Sequence, residues 1–278
     1  VRIGLGYVRG LRSEWVRTLV AERERGGRFT DLSDLASRAG AAAPALTLLA
    51  WAGACDSLVG HTTSSSPPRR IALWRLGTAT TGVSVPGGVQ LTLGLGLPDA
   101  PQLPPMHAWE ELLADYGATG LSARTHPLQL LRGGLPPGTI DSLALGRGEH
   151  GSRVMVAGLV VARQRPGTAG GVVFMLLEDE HGVINLIVPP RVYERHRLAV
   201  RSEPLLLAQG RLERHAAAGG AVNVLVRRLV ALAAPGQIRA AVQGFPTLDE
   251  PTPASEDAAA DFRAVAPPVM SFAAGRRR

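Results

Sequence analysis

The sequence contains no lysine, so all 30 of its basic residues are arginine. It has a single cysteine, Cys55, and aromatic residues make up only 4% of its 278 positions. One cysteine excludes an intrachain disulfide framework and a zinc site built from several thiolates. Cys55 follows an apolar, helix-like stretch and is expected to be a small buried hydrophobe. With so few aromatics, any core must be made chiefly of Val, Leu and Ala. The apolar, uncharged run from Gly40 to Cys55 falls short of the roughly 18 residues that a bilayer span needs, and Pro44 interrupts it. The opening residues, Val1-Arg2-Ile3-Gly4, lack the apolar core of a secretory signal. The expectation is a cytoplasmic protein with no membrane partner.

What is present points elsewhere. Hydrophobic residues make up 45% of the chain, enough for real cores, and the length suits about two domains. The formal charge is +7 and the isoelectric point about 10.9. Arginine grips phosphate bidentately and stacks on bases, so an arginine-rich basic chain suits a polyanion, above all nucleic acid. The competing reading is a solvated surface in a protein from a GC-rich genome, where arginine is abundant for reasons of codon usage.

The first 60 residues read as helices. Trp15, Val16, Leu19 and Val20 recur at helical spacing between Ser13 and Arg25, and Gly26-Gly27 ends that segment. Thr30 or Asp31 can cap the next helix, with Leu32 and Leu35 facing inward. Pro44 opens a third, carrying Leu46, Leu49 and Ala50. Residues 61–105 are rich in Ser, Pro and Gly without a clear period and read as linker, apart from a short helix near 69–76. Residues 106–150 form a helical connector that includes Trp109 to Tyr116 and a short helix that His126-Pro127-Leu128 starts and that runs through Leu131. Residues 151–233 are β-rich, in the order β-β-β-α-β-β, which is that of a five-stranded OB barrel. Residues 234–278 are rich in Ala, Pro and acid and read as a disordered tail.

These pieces, in this order, resemble a family. Leu5-Gly6-Tyr7-Val8-Arg9-Gly10-Leu11, then Glu22 to Leu32 and Ala52 to Leu58, are similar to the helix-hairpin-helix region that follows the polymerase core in bacterial DNA polymerase III alpha subunits of the C family. Arg69 to Trp74, Leu103 to Met106, Asp115 to Leu121 and His126-Pro127-Leu128 resemble the segments that come next in the error-prone branch. Val156 to Val160, Arg163 to Thr168, Leu177 to Glu180 and Gly182 resemble the opening of its OB domain. The likeness runs over about residues 1–232. It implies an α+β multidomain fold, a helical helix-hairpin-helix region followed by a five-stranded OB-fold barrel. It also implies the DNA-binding C-terminal portion of an error-prone alpha subunit, acting in damage-tolerant synthesis. Implied partners are single-stranded template and primer–template duplex, with a polymerase core or accessory translesion proteins. An alternative is a non-catalytic scaffold or decayed polymerase fragment that tethers accessory factors.

No catalytic residue is expected here. Polymerase chemistry needs two metals held by carboxylates, and the densest acidic cluster, Glu178-Asp179-Glu180, sits at a β-turn, where acids are ordinary. No metal site or cofactor is expected in the chain. His107, His126 and His181 are scattered and read as structural or exposed. In the hairpin the DNA-contact candidates are Arg9, Gly10 and Arg12. The barrel candidates lie along its second and third strands and on two loops: Arg163, Arg165, Thr168, Phe174, Asn185 and Arg214. Phe174 and Tyr193 are the two barrel aromatics, and core packing is the expected role of both. The sequence also departs from the family pattern. Arg12 stands where the hairpin usually has a second glycine, Ala41-Ala42-Ala43-Pro44-Ala45 replaces a polar stretch, Gly170 replaces a lysine, and Pro189 replaces a tryptophan. Gln90-Leu91-Thr92-Leu93-Gly94 resembles a sliding-clamp peptide that lacks its final aromatic, and an apolar linker is the preferred reading.

Overall fold

The computed structural model describes residues 3–39, 43–60, 68–79, 84–85, 88–89, 100–104, 106–215, 221–233 and 262–271. They belong to two compact units, residues 1–123 and 124–278, taken in turn below.

The first unit is helical. A 3-10 turn at Leu5–Tyr7 precedes α1 (Ser13–Gly26), α2 (Leu32–Arg38), α3 (Ala43–Trp51), α4 (Pro68–Ala79) and α5 (Ala108–Thr119). The Asp31 carboxylate caps α2 by accepting from the Asp34 N–H at 2.9 Å, so one otherwise orphaned donor is satisfied. Leu19, Leu32, Leu35, Leu46 and Leu49 meet in one core with Ile71 and Leu76. Burying each such side chain contributes about 1.5–3 kcal/mol. Cys55 is buried among them, and burial, aided by the Asp56 charge, pushes its thiol up to about 12. It is the small hydrophobe expected, far from a reactive thiolate.

Helix α4 corrects the reading of residues 61–105 as linker. A short helix does occupy this stretch, but Ile71, Ala72 and Leu76 belong to the unit's core. Arg69 is buried and pairs with Asp115 of α5 at 2.9 Å. Arg70 reaches Glu110 of α5 at 3.2 Å and donates to the Pro104 carbonyl at 3.1 Å. Helix α5, expected in the connector, therefore packs within the first unit. The Ser/Pro/Gly-rich flanks masked the short apolar face of α4. Residues 61–67 and 90–99, the clamp-like peptide included, lie outside the described residues.

The second unit opens with α6 (Pro127–Leu131) and α7 (Ser142–Arg147). A two-residue strand, Thr139–Ile140, runs parallel to the start of β1. The strands β1 (Arg153–Gln164), β2 (Val173–Glu178), β3 (Val183–Val188), β4 (Leu205–His215) and β5 (Ala221–Ala231) follow. Helices α8 (Pro190–Arg195) and α9 (Arg197–Ser202) lie between β3 and β4. The strands close in the order β1-β2-β3-β5-β4-β1, all antiparallel except β3 with β5. This is the expected five-stranded OB barrel. A bulge between Val160 and Ala162 lets β1 bend, so that its first half pairs with β4 and its second half with β2. Val173, Met175, Leu177, Ile184, Leu186 and Val188 point into the core, which leaves the alternate positions of β2 and β3 on the outer face.

The C-terminal region carries a second correction. Residues 234–261 and 272–278 lie outside the described residues, but 262–271 is folded onto the barrel. Phe262 is buried, and Met270–Ser271 pairs in parallel with Ala162 and Arg163 of β1. The low hydrophobicity of the region as a whole concealed the few apolar residues that dock.

Candidate nucleic-acid interface

In the first unit the interface candidates lie between the Leu5–Tyr7 turn and α1. Gly10 has φ +82°, and a Cβ there would lie 3.1 Å from the Leu48 side chain. Only glycine turns the chain here without strain. The Arg9 backbone N–H donates to the Ala118 carbonyl at 2.8 Å, which ties the hairpin to the end of α5. The side chains of Arg9, Arg12 and Arg17 are exposed. Arg12 is the N-cap of α1 and its side chain makes no capping bond. The first intrahelical bond of α1 runs from the Val16 N–H to the Arg12 carbonyl. The N–H groups of Ser13, Glu14 and Trp15 therefore have no helix carbonyl to bond, the arrangement that suits a phosphate oxygen. Arg12 adds an exposed cation at its rim. The corresponding turn between α2 and α3 falls on residues 40–42, outside those described.

In the barrel, alternation sorts the candidates. Phe174 is 39% exposed, against 7% for Tyr193. The expectation of a core role therefore holds for Tyr193 and fails for Phe174, which takes an outward position of β2. Phe174 pairs across the sheet with Gln164 of β1 and Ile187 of β3, and Ile187 with Leu225 of β5. The next outward row holds Leu176, Asn185 and Asn223. Asn185 is exposed, with only a long 3.4 Å contact from its amide to the Val222 carbonyl. Exposed Arg227 follows Leu225 at the next outward position of β5. An aromatic ring, aliphatic neighbours, amides and a cation on one continuous sheet face can stack a base and hold a backbone. Gln164, Ile187, Asn223, Leu225 and Arg227 escaped the sequence reading. Period-two alternation could have found Ile187, but the β5 residues join the face only because β5 closes parallel to β3.

Two expected contacts are spent inside the protein. Arg163 turns toward the start of β4 and donates to the Glu203 carbonyl, and burial holds its guanidinium below the usual range. Arg214 donates to the Gly146 and Gly148 carbonyls at 2.7 and 3.0 Å and so fastens the loop after α7. Both sites are taken by orphaned carbonyls that long arginines can reach, a demand no local pattern reveals. Arg165 remains exposed, its guanidinium 4.6 Å from the Tyr193 ring centroid. Thr168 is exposed in the turn after it.

The acidic turn is structural. Asp179 is buried and accepts from the Ser142 hydroxyl at 2.7 Å and from the N–H groups of Ser142, His181 and Gly182 at 2.6, 2.9 and 2.9 Å. Burial opposes its ionisation, but these bonds outweigh it and hold the carboxyl below the usual range. Glu180 takes both arms of Arg132, at 2.8 and 2.6 Å. The turn thereby locks α6 and α7 to the barrel. Among the described residues no three of His, Cys, Asp and Glu stand close enough to hold a metal ion, and no helix is long and apolar enough to cross a membrane.

Residues 1–65 match the helix-hairpin-helix motif model. The chain is 42% identical over 247 residues to the error-prone DNA polymerase of Anaeromyxobacter dehalogenans, covering 88% of this chain and 20% of that protein. It is 41% identical over 231 residues to the error-prone DNA polymerase of Mycobacterium bovis, covering 82% of this chain and 20% of the relative. The same-named protein of Xanthomonas campestris is 42% identical over 224 residues, covering 77% and 19%. The chain thus spans about one fifth of the length of the curated relatives it matches.

Proposed function

This chain is a relative of the error-prone DNA polymerases over most of its length, spanning about a fifth of theirs, and from that premise we propose that it is a DNA-binding module of such a polymerase. The hairpin around Gly10 holds duplex phosphates through backbone N–H groups and the exposed arginines beside them. The β2–β3–β5 face takes unpaired template, with Phe174 as the stacking platform and Asn185, Asn223, Arg165 and Arg227 around it. Nucleotide addition belongs to a polymerase core that carries the metal-binding carboxylates, and damage-tolerant synthesis is the setting that the relatives' names suggest.

The outward position of Phe174 carries this reading. A half-exposed phenylalanine in the middle of a sheet face contributes little to the core, and its placement suits an aromatic or apolar ligand. The test is fluorescence anisotropy with oligothymidylate and with a primer–template duplex across a salt series. Log affinity should fall with log salt at about 0.7 per neutralised phosphate for single strands and about 0.9 for duplex. Binding that ignores salt, or no binding at low salt, would sink the reading.

A further inference from the structure

The outer face of the barrel does not end at Phe174. Gln164, its cross-strand partner on β1, also lines a cleft of about 360 Å³ between the end of β1 and α8–α9. That volume lies in the range of about 300–1,000 Å³ that bound small molecules occupy. Val173, Tyr193, Val200 and Val269 give the cleft apolar walls, and Arg165 and Arg201 give it charge. Arg163 lines it as well, but its guanidinium is engaged by the Glu203 carbonyl. Among the described residues no carboxylate lines this cleft.

Arg165 is held ready for an anion. Its guanidinium lies 4.6 Å from the Tyr193 ring centroid, and a Cβ on Gly171 would stand 3.6 Å from its Nη2. Stacking on one face leaves the in-plane N–H groups to meet two oxygens of a phosphate. Arg201 leads from the cleft onto α9, where Arg197 lies one turn earlier, and both are exposed. Residues 190–202 hold four arginines against Glu194 alone. Like charges four residues apart on a helix repel, and among the described residues neither Arg197 nor Arg201 has a carboxylate partner. His196, between the two helices, feels the resulting field: burial first, then Arg195 and Arg228, hold its imidazole below the ordinary value. Arg132 of the same unit has Glu180 to neutralise it. The α9 arginines have no such neighbour, so a bound polyanion relieves their repulsion.

We propose that the cleft and α9 form a phosphate track continuing the Phe174 face: a single DNA strand stacks a base on Phe174, passes Gln164, and sets successive phosphates on Arg165, Arg201 and Arg197. This rests on the DNA-binding reading above and extends its site from a sheet face to the helices between β3 and β4. OB barrels cover about 4–16 nucleotides, and the track places this one above the low end. Guanidinium–phosphate contacts carry no sequence information, so the track accepts any bases.

The test uses the full chain and oligothymidylates of about 4 and about 12 nucleotides, the shorter being too small for face and track together. Log affinity should fall with log salt more steeply for the longer oligomer by about 1.4, two further contacts at about 0.7 each. In Arg197→Gln with Arg201→Gln that difference should vanish. Arg197→Lys with Arg201→Lys should keep it, because the phosphate needs the charge. Both double variants should melt with wild type, since the two side chains are exposed. Should the glutamine pair melt early, each single substitution gives the same reading at about 0.7. Equal slopes for the two lengths in wild type, or a difference that survives the glutamines, would overturn the track and leave the Phe174 face standing. A lysine pair as weak as the glutamine pair would overturn the phosphate contacts. Poly-glutamate that displaces the longer oligomer at equal charge would make the patch a seat for an acidic protein segment and overturn the track. If neither oligomer binds, track and face both fall.

Discussion

Phe174 and Tyr193 show how two residues of similar composition acquire opposite roles. Tyr193, on a helix that covers the barrel, is buried. Phe174, on a strand, alternates with Val173 and Met175 and stands outside them. Phe174→Ala should weaken oligothymidylate binding by about 1–3 kcal/mol while the thermal midpoint hardly moves, because little of the ring is in the core. A large loss of stability with unchanged affinity would return the residue to the core. The arginines divide in the same way. Arg163→Ala should lower the melting temperature and leave the salt slope alone, since its guanidinium serves the Glu203 carbonyl. Arg165→Ala should reduce the slope by about 0.7 with the fold intact; the reverse pattern in a salt series would refute the assignment. His126 supplies a pH dependence. Burial first, and Arg132 in addition, hold its imidazole below the usual value against the pull of Glu180 and Asp179, while Nδ1 accepts from the Leu128 N–H at 3.2 Å and caps α6. The unfolded chain therefore takes up the proton first, and the stability that neutral His126 contributes is full above pH ~6.5 and is lost as pH falls below it. Melts of the full chain from pH 8 to pH 5 should show this decline. His126→Asn, which keeps a cap without titrating, should flatten it, and the slope that persists belongs to His196, lowered by burial and by Arg195 and Arg228.

At the scale of elements, most of the fold was legible. The starts of α1, α2 and α3, and the five strands with their intervening helical stretch, follow from apolar spacing, caps and breakers. Two elements were not. Helix α7 is six residues long, too short for periodicity to show, and it is held by Asp179, which is distant in sequence. Helix α4 was expected near residues 69–76, but its place in the first unit's core was not. Strand 270–271 has no pattern of its own and exists because β1 offers it an edge. The hairpin shows the opposite case, an element specified by one residue. Gly10→Ala must adopt a positive φ and press on Leu48. The first unit should lose about 1–2 kcal/mol, and primer–template binding should fall more than oligothymidylate binding. Equal losses on the two ligands would mean that the hairpin does not discriminate duplex.

For the whole molecule, relationship and chemistry have to be kept apart. The relatives are polymerases, but the acidic cluster most suggestive of metal is a structural turn in which Asp179 has its lone pairs filled. On a primed template with magnesium, the purified chain should incorporate no nucleotide; incorporation that survives removal of contaminating polymerases would overturn the module reading. What the sequence by itself determined was the class of each half and the basic, arginine-only character of the surface. Spacing of apolar residues along the chain, and the number and kind of charges, are local properties that folding does not change. Only the tertiary structure decided which arginines face solvent, that Phe174 looks outward with Leu225 and Asn223 beside it, and that part of the C-terminal region closes an edge of the barrel. Each depends on which distant backbone groups lack a partner once the strands have closed, and that accounting exists only in the folded chain.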